Sequence, residues 1–306
     1  MTSVIVGADD DSHIRAVVAE LLARGEPVPI LLDAPSLQGD GYTLTLDRLE
    51  HHDEVLGLTD ATRGWLRRYA PTEWGAGLVA GSEEALSRRS YLSLVGSFAR
   101  ISACVWLTPL DRLLAAEDKL LQLRVAKDLG ISIPDTIVTS DPCAAMDVLG
   151  DEFVVKPLAG GYFVSSDGPQ AVYASVLQRP EALELDFSAA PFLAQRRLDV
   201  DVHLRIVTVE GRAWVCDLDA SDLPLDWRRD EQAHYSWRVA DDKIAADGAL
   251  AMSGALGVGY SSQDWVRRED QLHFLDLNPG GQWLFLPEEV AAPVTKAIAG
   301  YLAEPL

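Results

Sequence analysis

Asp276 and Asn278 stand two residues apart in the run Phe274-Leu275-Asp276-Leu277-Asn278-Pro279-Gly280-Gly281-Gln282-Trp283, twelve residues after Asp264. In an extended strand, side chains at i and i+2 share a face. Asp276 and Asn278 would then aim their oxygens at one point, while Phe274, Leu275 and Leu277 hold the strand in a core. Two carboxylates and an amide are hard oxygen donors of the kind magnesium takes, and magnesium usually completes its octahedron with water and substrate phosphates. Asp, Asn, Pro and Gly are also the residues that turns prefer, so the run by itself reads as the end of a strand. A second set of residues, far upstream, asks for the same ligand. Lys119 opens a helix, Lys156 ends a strand, and Gly160-Gly161 follow it. Such residues can bracket a phosphate chain with charge and with backbone N–H groups.

The elements that would position these groups alternate along the chain. Val4-Ile5-Val6 reads as a buried strand, Ser12 to Arg24 as a helix with one apolar face, and Val28 to Leu32 as a second strand. The connection Gly7-Ala8-Asp9-Asp10-Asp11 lacks G-x-G-x-x-G, and its acids would reject a pyrophosphate. Strands are expected at Tyr42–Leu46, Gly64–Tyr69 and Cys104–Leu107, and a helix at Glu83–Ala99. A helix from Glu117 stops at Gly130, and Thr136–Thr139 forms a strand. Phe153–Pro157 followed by Leu158–Val164 reads as a β-hairpin with a glycine tip, unlike the strand-to-helix P-loop. A polar stretch spans Gln178–Ser188. Further on come a strand at Phe192–Leu198, a hairpin at Leu204–Val215, a polar loop at Asp226–Arg229 and a helix at Lys243–Leu256. The Asp264 strand follows, then a closing helix at Pro293–Leu302 with its proline in the first turn.

Composition narrows the partners. Lys plus Arg total 26 against 47 Asp plus Glu, a formal net charge of −21 that would repel a nucleic-acid backbone. A phosphate site must therefore be locally basic against an unfavourable global field. The three cysteines, Cys104, Cys143 and Cys216, are widely spaced, indicating neither a disulfide framework nor a zinc site, and point to a reducing cytoplasm. No basic-then-apolar N-terminal segment and no membrane-length apolar stretch is present in the sequence, so neither export nor a membrane role is expected.

The order Lys119, Lys156, Gly160-Gly161, Gln195, Arg205, Asp264, Asp276 and Asn278 resembles that of ATP-grasp ligases, over roughly residues 110 to 300. Four segments are more particular: Asp118 to Ala126, Ile133-Pro134-Asp135-Thr136, Asp226-Trp227-Arg228 and Asn278 to Trp283. They resemble ATP-grasp peptide maturases of the microviridin, or graspetide, type. The resemblance implies an α/β ATP-grasp fold: a pre-ATP-grasp, Rossmann-like lobe over residues 1–108, a central lobe over 109–190 and a C-terminal lobe over 191–306.

It implies ATP and Mg2+ as cofactors. Lys119 and Lys156 would contact phosphates, Gly160 and Gly161 would form a lid, and the backbone after Gln195, at Arg196 and Leu198, would read the adenine edge. Asp201 would meet the ribose, and Asp264, Asp276 and Asn278 would hold the metal. Arg205 and Arg228 would neutralise the transferring phosphoryl group. For Arg205 a plain surface pair with Asp201 or Glu210 is the alternative. The implied partner is a ribosomal precursor peptide with a leader segment, whose core Asp or Glu side chains are phosphorylated and joined to Lys, Ser or Thr as ester or amide macrocycles. Arg63, Arg67 and Arg68, or Arg228 and Arg229, are basic spots for an acidic core, although the first three read first as solvated surface residues. A ligase acting on a free amino acid, small peptide or protein tail shares every nucleotide residue, and a non-catalytic nucleotide-binding scaffold is the alternative of another class. A homodimer is compatible with all three. Three positions depart from the family: Asp276 stands for a usual glutamate, Arg196 for a frequent glutamate, and His203 for an acid.

Overall fold

The structure, a computed structural model, describes residues 2–32, 42–51, 54–70, 79–158, 162–165, 168–184 and 190–306. The chain opens β1 (Val4–Val6), α1 (Ser12–Ala23), β2 (Ile30–Leu32). An antiparallel meander follows, made of β3 (Tyr42–Leu44), β4 (Arg48–His51) and β5 (Glu54–Gly57), and then β6 (Thr62–Leu66), α2 (Glu83–Ile101) and β7 (Cys104–Trp106). Strands β2, β1, β6 and β7 lie in that order as a parallel sheet. Val4, Ile5 and Val6 are buried on both faces, as a central parallel strand requires. The strand expected at Gly64–Tyr69 lies earlier, because after Leu66 the N–H groups of Arg67 and Arg68 both turn to the Val6 carbonyl.

The helix expected from Glu117 to Gly130 is α4 (Lys119–Asp128), and a separate helix, α3 (Leu110–Ala116), precedes it. Asp118 divides them: its Oδ1 accepts the N–H groups of Leu120 and Leu121 at 2.9 and 3.0 Å, an N-cap that makes Lys119 the first helical residue. Next come β8 (Thr136–Thr139), α5 (Pro142–Leu149), β9 (Glu152–Pro157), β10 (Tyr162–Ser165), β11 (Gly168–Ala171), β12 (Ser175–Gln178), α6 (Arg179–Glu184) and β13 (Phe192–Arg196). An antiparallel sheet runs β12-β9-β13-β8. The expected hairpin between Phe153–Pro157 and the strand after the glycines is not formed. Instead β9 pairs with β12 and β13, and β10 pairs with β11 as a separate ribbon, Tyr162 opposite Ala171. Gly160 and Gly161 lie outside the described residues.

The last third holds β14 (Val202–Val209), β15 (Arg212–Asp219), two 3-10 turns at Trp227–Arg229 and Gln232–Tyr235, β16 (Arg238–Ala240), α7 (Lys243–Leu256), β17 (Tyr260–Arg268), β18 (Gln271–Asn278) and α8 (Glu288–Ala303). The antiparallel sheet order is β16-β15-β14-β17-β18. Glu210 and Gly211, at φ 45° and 74°, make the two-residue turn between β14 and β15, whose left-handed geometry suits strand twist. Helix α8 begins five residues before the expected Pro293, placing that proline inside the helix, where its absent N–H leaves the carbonyl one turn earlier without its usual donor.

Buried side chains form separate cores. One joins α1 and β1 to α8 and to β14 and β15, including Ile14, Leu21, Val207, Trp283 and Ile298. A second lies under α7 and α4, among Leu123, Ile206, Met252, Trp265 and Phe274. The β12-β9-β13-β8 sheet has a small core of its own beneath α5 and α6, around Met146, Phe153 and Phe192. Among the described residues, no helix is long and apolar enough to cross a membrane.

Candidate functional site

A cleft of about 490 Å³ opens between the β12-β9-β13-β8 sheet and the five-stranded sheet. That size is ordinary for small-molecule sites, which span roughly 300–1,000 Å³. Lys119, Lys156, Gln195, Arg196, Leu198, Arg228, Asp264 and Asp276 all line it. Lys156 reaches it from β9, where its ammonium is pushed down by burial and drawn back by the charge of Asp276. Lys119 comes from the first turn of α4 and donates to the Pro157 carbonyl at 2.8 Å, tying the two lysine-bearing elements together.

Strand register brings the acids together. Arg205 on β14 faces Asp264 on β17, and Asp264 faces Asp276 on β18. Asn278 is opposite Ser262, two residues along the same face. On the other side of the Asp264–Asp276 pair, Trp265 opposes Phe274, so Leu275 is an extra residue in β18. This bulge lets Phe274 and Leu277 both enter the core while Asp276 and Asn278 face the other way. Leu275, expected in the core, lines the cleft instead.

Asp264 is held between two guanidinium groups, with Arg205 Nη1 at 2.5 Å from Oδ1 and Arg228 Nη2 at 2.8 Å from Oδ2. Burial alone would raise its carboxyl, but the charges of Arg205 and Arg228 hold it far below the usual range. Among the described residues no arginine hydrogen-bonds to Asp276, although the charge of Arg228 acts on it. Burial, and then the charge of Asp264, push its carboxyl up, against Lys119 and Lys156. A buried carboxylate beside another carboxylate fits the place for a cation. Among the described residues, no three His, Cys, Asp or Glu side chains cluster to cage an ion. Two aspartates and an amide suit magnesium, which leaves the rest of its shell to phosphates and water.

The other predicted residues fall at varied distances from this centre. Arg205 is 6 % exposed, pairs with Asp264 rather than Asp201 or Glu210, and does not line the cleft. Arg228 sits on the Trp227 ring, 5.0 Å from its centroid, and is also held by Asp226 at 3.2 Å; Asp264 raises its guanidinium further. The Arg196 N–H is taken by the Asp135 carbonyl at 2.8 Å, and Arg196 and Leu198 both stand at the cleft wall. Asp201 accepts the Glu269 N–H at 2.6 Å and lies outside the cleft, where Asp199 appears instead. Asn278 is exposed, and its Oδ1 accepts the Gly280 N–H at 2.9 Å.

Three residues take places that the sequence reading did not assign to them. His203 lines the cleft with its imidazole pushed down by burial, so it faces the ligand space uncharged. Trp237 also lines the cleft, with a buried indole N–H that has no hydrogen-bond partner among the described residues. Arg67, expected on the surface with Arg63 and Arg68, is 1 % exposed. For Arg67 the residue type gave no signal, since an arginine reads as surface.

No protein-family profile matches the chain, and no curated protein matches its sequence. Solved structures do match over its whole length. The macrocyclase MdnC from Microcystis aeruginosa MRC, bound with precursor peptide MdnA, aligns at TM-score 0.81 and 21 % identity, covering 98 % of this chain and 99 % of that one. A RiPP-associated ATP-grasp ligase from Chryseobacterium gregarium, in complex with ADP and a leader and core peptide, aligns at 0.83 and 20 %, covering 100 % and 98 %. The ATP-grasp ligase PsnB, complexed with a phosphomimetic variant of its minimal precursor, Mg and ADP, aligns at 0.75 and 18 %, covering 98 % of each.

Proposed function

The chain has the ATP-grasp fold with a Rossmann-like N-terminal lobe, and from that premise we propose that it is an ADP-forming ligase that macrocyclises a ribosomal precursor peptide. The observation that carries the proposal is the convergence of Lys119, Lys156, Arg228, Asp264 and Asp276 on one cleft between two sheets. In so acidic a protein, that cluster of cations is a local reversal of the global field. The matching structures hold ADP and precursor peptides, ligands of the chemical classes this reading calls for.

In this reading the nucleotide lies between the two sheets. Lys156 and Lys119 neutralise its phosphates, and Leu198 and Leu275 wall the base. Asp264, Asp276 and Asn278 would hold Mg2+, which when bound supplies charge neutralisation to the phosphate oxygens. A core Asp or Glu carboxylate attacks the terminal phosphorus and ADP departs, leaving an acyl phosphate. A Lys amine or a Ser or Thr hydroxyl then attacks the acyl carbon, phosphate leaves, and the nucleophile's proton passes to solvent. Arg228, at the cleft and turned toward Asp264, would steady the transferring group; Arg205 would act one step removed, by fixing Asp264. Catalysis of this kind is mostly positioning and charge.

The test is intact mass of a precursor peptide co-expressed with the protein, together with ADP release by the purified pair. Each ring should remove the mass of one water, and Lys156→Ala or Asn278→Ala should abolish both signals. Peptide-independent ADP release with unchanged peptide mass would point to a free amino acid or small-peptide substrate. No ADP release and no nucleotide binding would refute the proposal.

A further inference from the structure

Arg67 lies in the N-terminal lobe, yet its side chain spends itself on the loop that follows Asn278. Its Nη1 donates to the Gly280 carbonyl and to the Gly281 carbonyl, the latter at 3.1 Å. Its Nε stands 3.2 Å from Asp11 Oδ2, and its guanidinium lies 5.6 Å from the Trp283 ring centroid. His13 completes the grip. Its Nε2 accepts the Trp283 N–H at 3.2 Å, so its proton belongs on Nδ1, where Asp11 Oδ1 accepts it at 3.1 Å. The β1–α1 connection, where other doubly wound folds cradle phosphate, here carries Asp11 and His13 to this loop. Gly7 gives the room, since a Cβ there would lie 2.7 Å from Ile14 Cδ1 and 3.4 Å from Arg67 Cβ.

The loop being gripped sets the direction of Asn278. Asn278 Oδ1 accepts the Gly280 N–H at 2.9 Å, and its own carbonyl accepts the Gly281 N–H at 3.2 Å. A carbonyl oxygen has two lone pairs, so this turn leaves one on Oδ1 for a cation and fixes where it points. From the β17 side the Tyr260 hydroxyl donates to the Gly281 carbonyl at 2.9 Å. Removing Arg67 frees one wall of the loop and leaves Tyr260 as the other.

We propose that Arg67, seated by Asp11 and His13, is a positioning residue for the amide of Asn278, acting from the N-terminal lobe through the Gly280 and Gly281 carbonyls. The inference rests on the nucleotide reading above. A full guanidinium buried for lobe docking alone would be a costly way to do what an apolar residue of similar volume could do. Groups that orient a metal ligand typically change metal affinity 10–100-fold when removed.

The experiment measures Mn2+ binding by electron paramagnetic resonance, with the intact protein and a non-hydrolysable ATP analogue. Mg2+ dependence of peptide-stimulated ADP release is measured in parallel. Arg67→Met should weaken Mn2+ binding about tenfold or more. It should raise the apparent KM for Mg2+ by a similar factor while kcat at saturating Mg2+ recovers. Arg67→Lys, keeping one charged donor, should recover part of the affinity. Wild-type Mn2+ affinity in Arg67→Met, with only a lower urea midpoint, would reduce Arg67 to lobe docking and overturn the proposal. Should Arg67→Met fail to fold, His13→Ala decides. It removes the acceptor of the Trp283 N–H and leaves Arg67, so weaker Mn2+ binding supports the proposal and unchanged binding overturns it. Wild-type protein that binds no Mn2+–nucleotide would overturn the nucleotide reading itself, a different result from a wild-type site that Arg67→Met leaves intact.

Discussion

Asp264→Ala, made alongside Arg205→Met and the double variant, tests whether the arginine–aspartate pair at the base of the cleft is a single energetic unit. Arg205 and Asp264 have side chains only 8 % and 18 % exposed and are 2.5 Å apart. Removing the aspartate strands a buried guanidinium, a change that costs about 3–5 kcal/mol. The second partner, Arg228, is 41 % exposed and contributes at the surface scale, about 0–1 kcal/mol. Arg205→Met leaves Asp264 paired to Arg228 and should cost less, and the double variant should cost little more than the worse single. A coupling of about 2 kcal/mol or more is therefore expected. Urea unfolding followed by tryptophan fluorescence reads it, since Trp265, the residue after Asp264 in β17, is buried in the core beneath α7. The pH dependence has a fixed sign. The folded carboxyl is depressed, so its contribution is fully present above the ordinary value of 3.8 and is lost as pH falls below it. Single-variant losses that add to within about 0.5 kcal/mol would refute the unit.

Two other outcomes follow from packing. Gly281→Ala would put a Cβ 2.5 Å from Ser262 Cβ, against strand β17, and should cost about 1–3 kcal/mol in urea unfolding; a neutral result would mean the loop is free to shift. Cys104 and Cys216 are buried with thiols pushed up to about 12, while Cys143 is exposed, so iodoacetamide at pH 8 should modify Cys143 alone in the native protein and all three after denaturation, as read by peptide mass.

Local chemistry made some of this architecture readable from residues alone. Helix α7 ends where expected because Asp242 caps its start, accepting the Ala245 N–H at 3.0 Å, and Gly257 takes φ 71° past its end. The β14–β15 hairpin was readable for the same reason, from Glu210-Gly211. The gathering of Lys119, Lys156, Asp264 and Asp276 was implied by the family resemblance that their order along the chain carries. Long-range pairing was not readable. Strand β9 finds β12 and β13, respectively some twenty and forty residues onward, and nothing local to Lys156 selects them over the nearer β10. The Leu275 bulge depends on two core aromatics, Trp265 and Phe274, meeting edge to face at 5.3 Å across strands. Helix α5 did carry a signal in Asp141-Pro142, a cap followed by proline at the first helical position. The burial of Arg67 had none, because an arginine reads as surface until its partners are known, here Asp11 in the β1–α1 connection and the Gly280 and Gly281 carbonyls more than two hundred residues away.

The division of the apolar interior has a mechanical consequence. The sheet bearing Lys156 keeps its own small core under α5 and α6, whereas Lys119 rides on α4 with the core beneath α7. The upper jaw of the cleft meets the core beneath α7 through Leu193, Val138 and Leu158, so a rocking about β13 would disturb those contacts while leaving the jaw's own core intact. The strut between Lys119 and the Pro157 carbonyl would be the first thing to let go. A bite of that kind would carry the two ammonium groups toward or away from each other, so the grip on a triphosphate would be set by hinge angle instead of by side-chain choice.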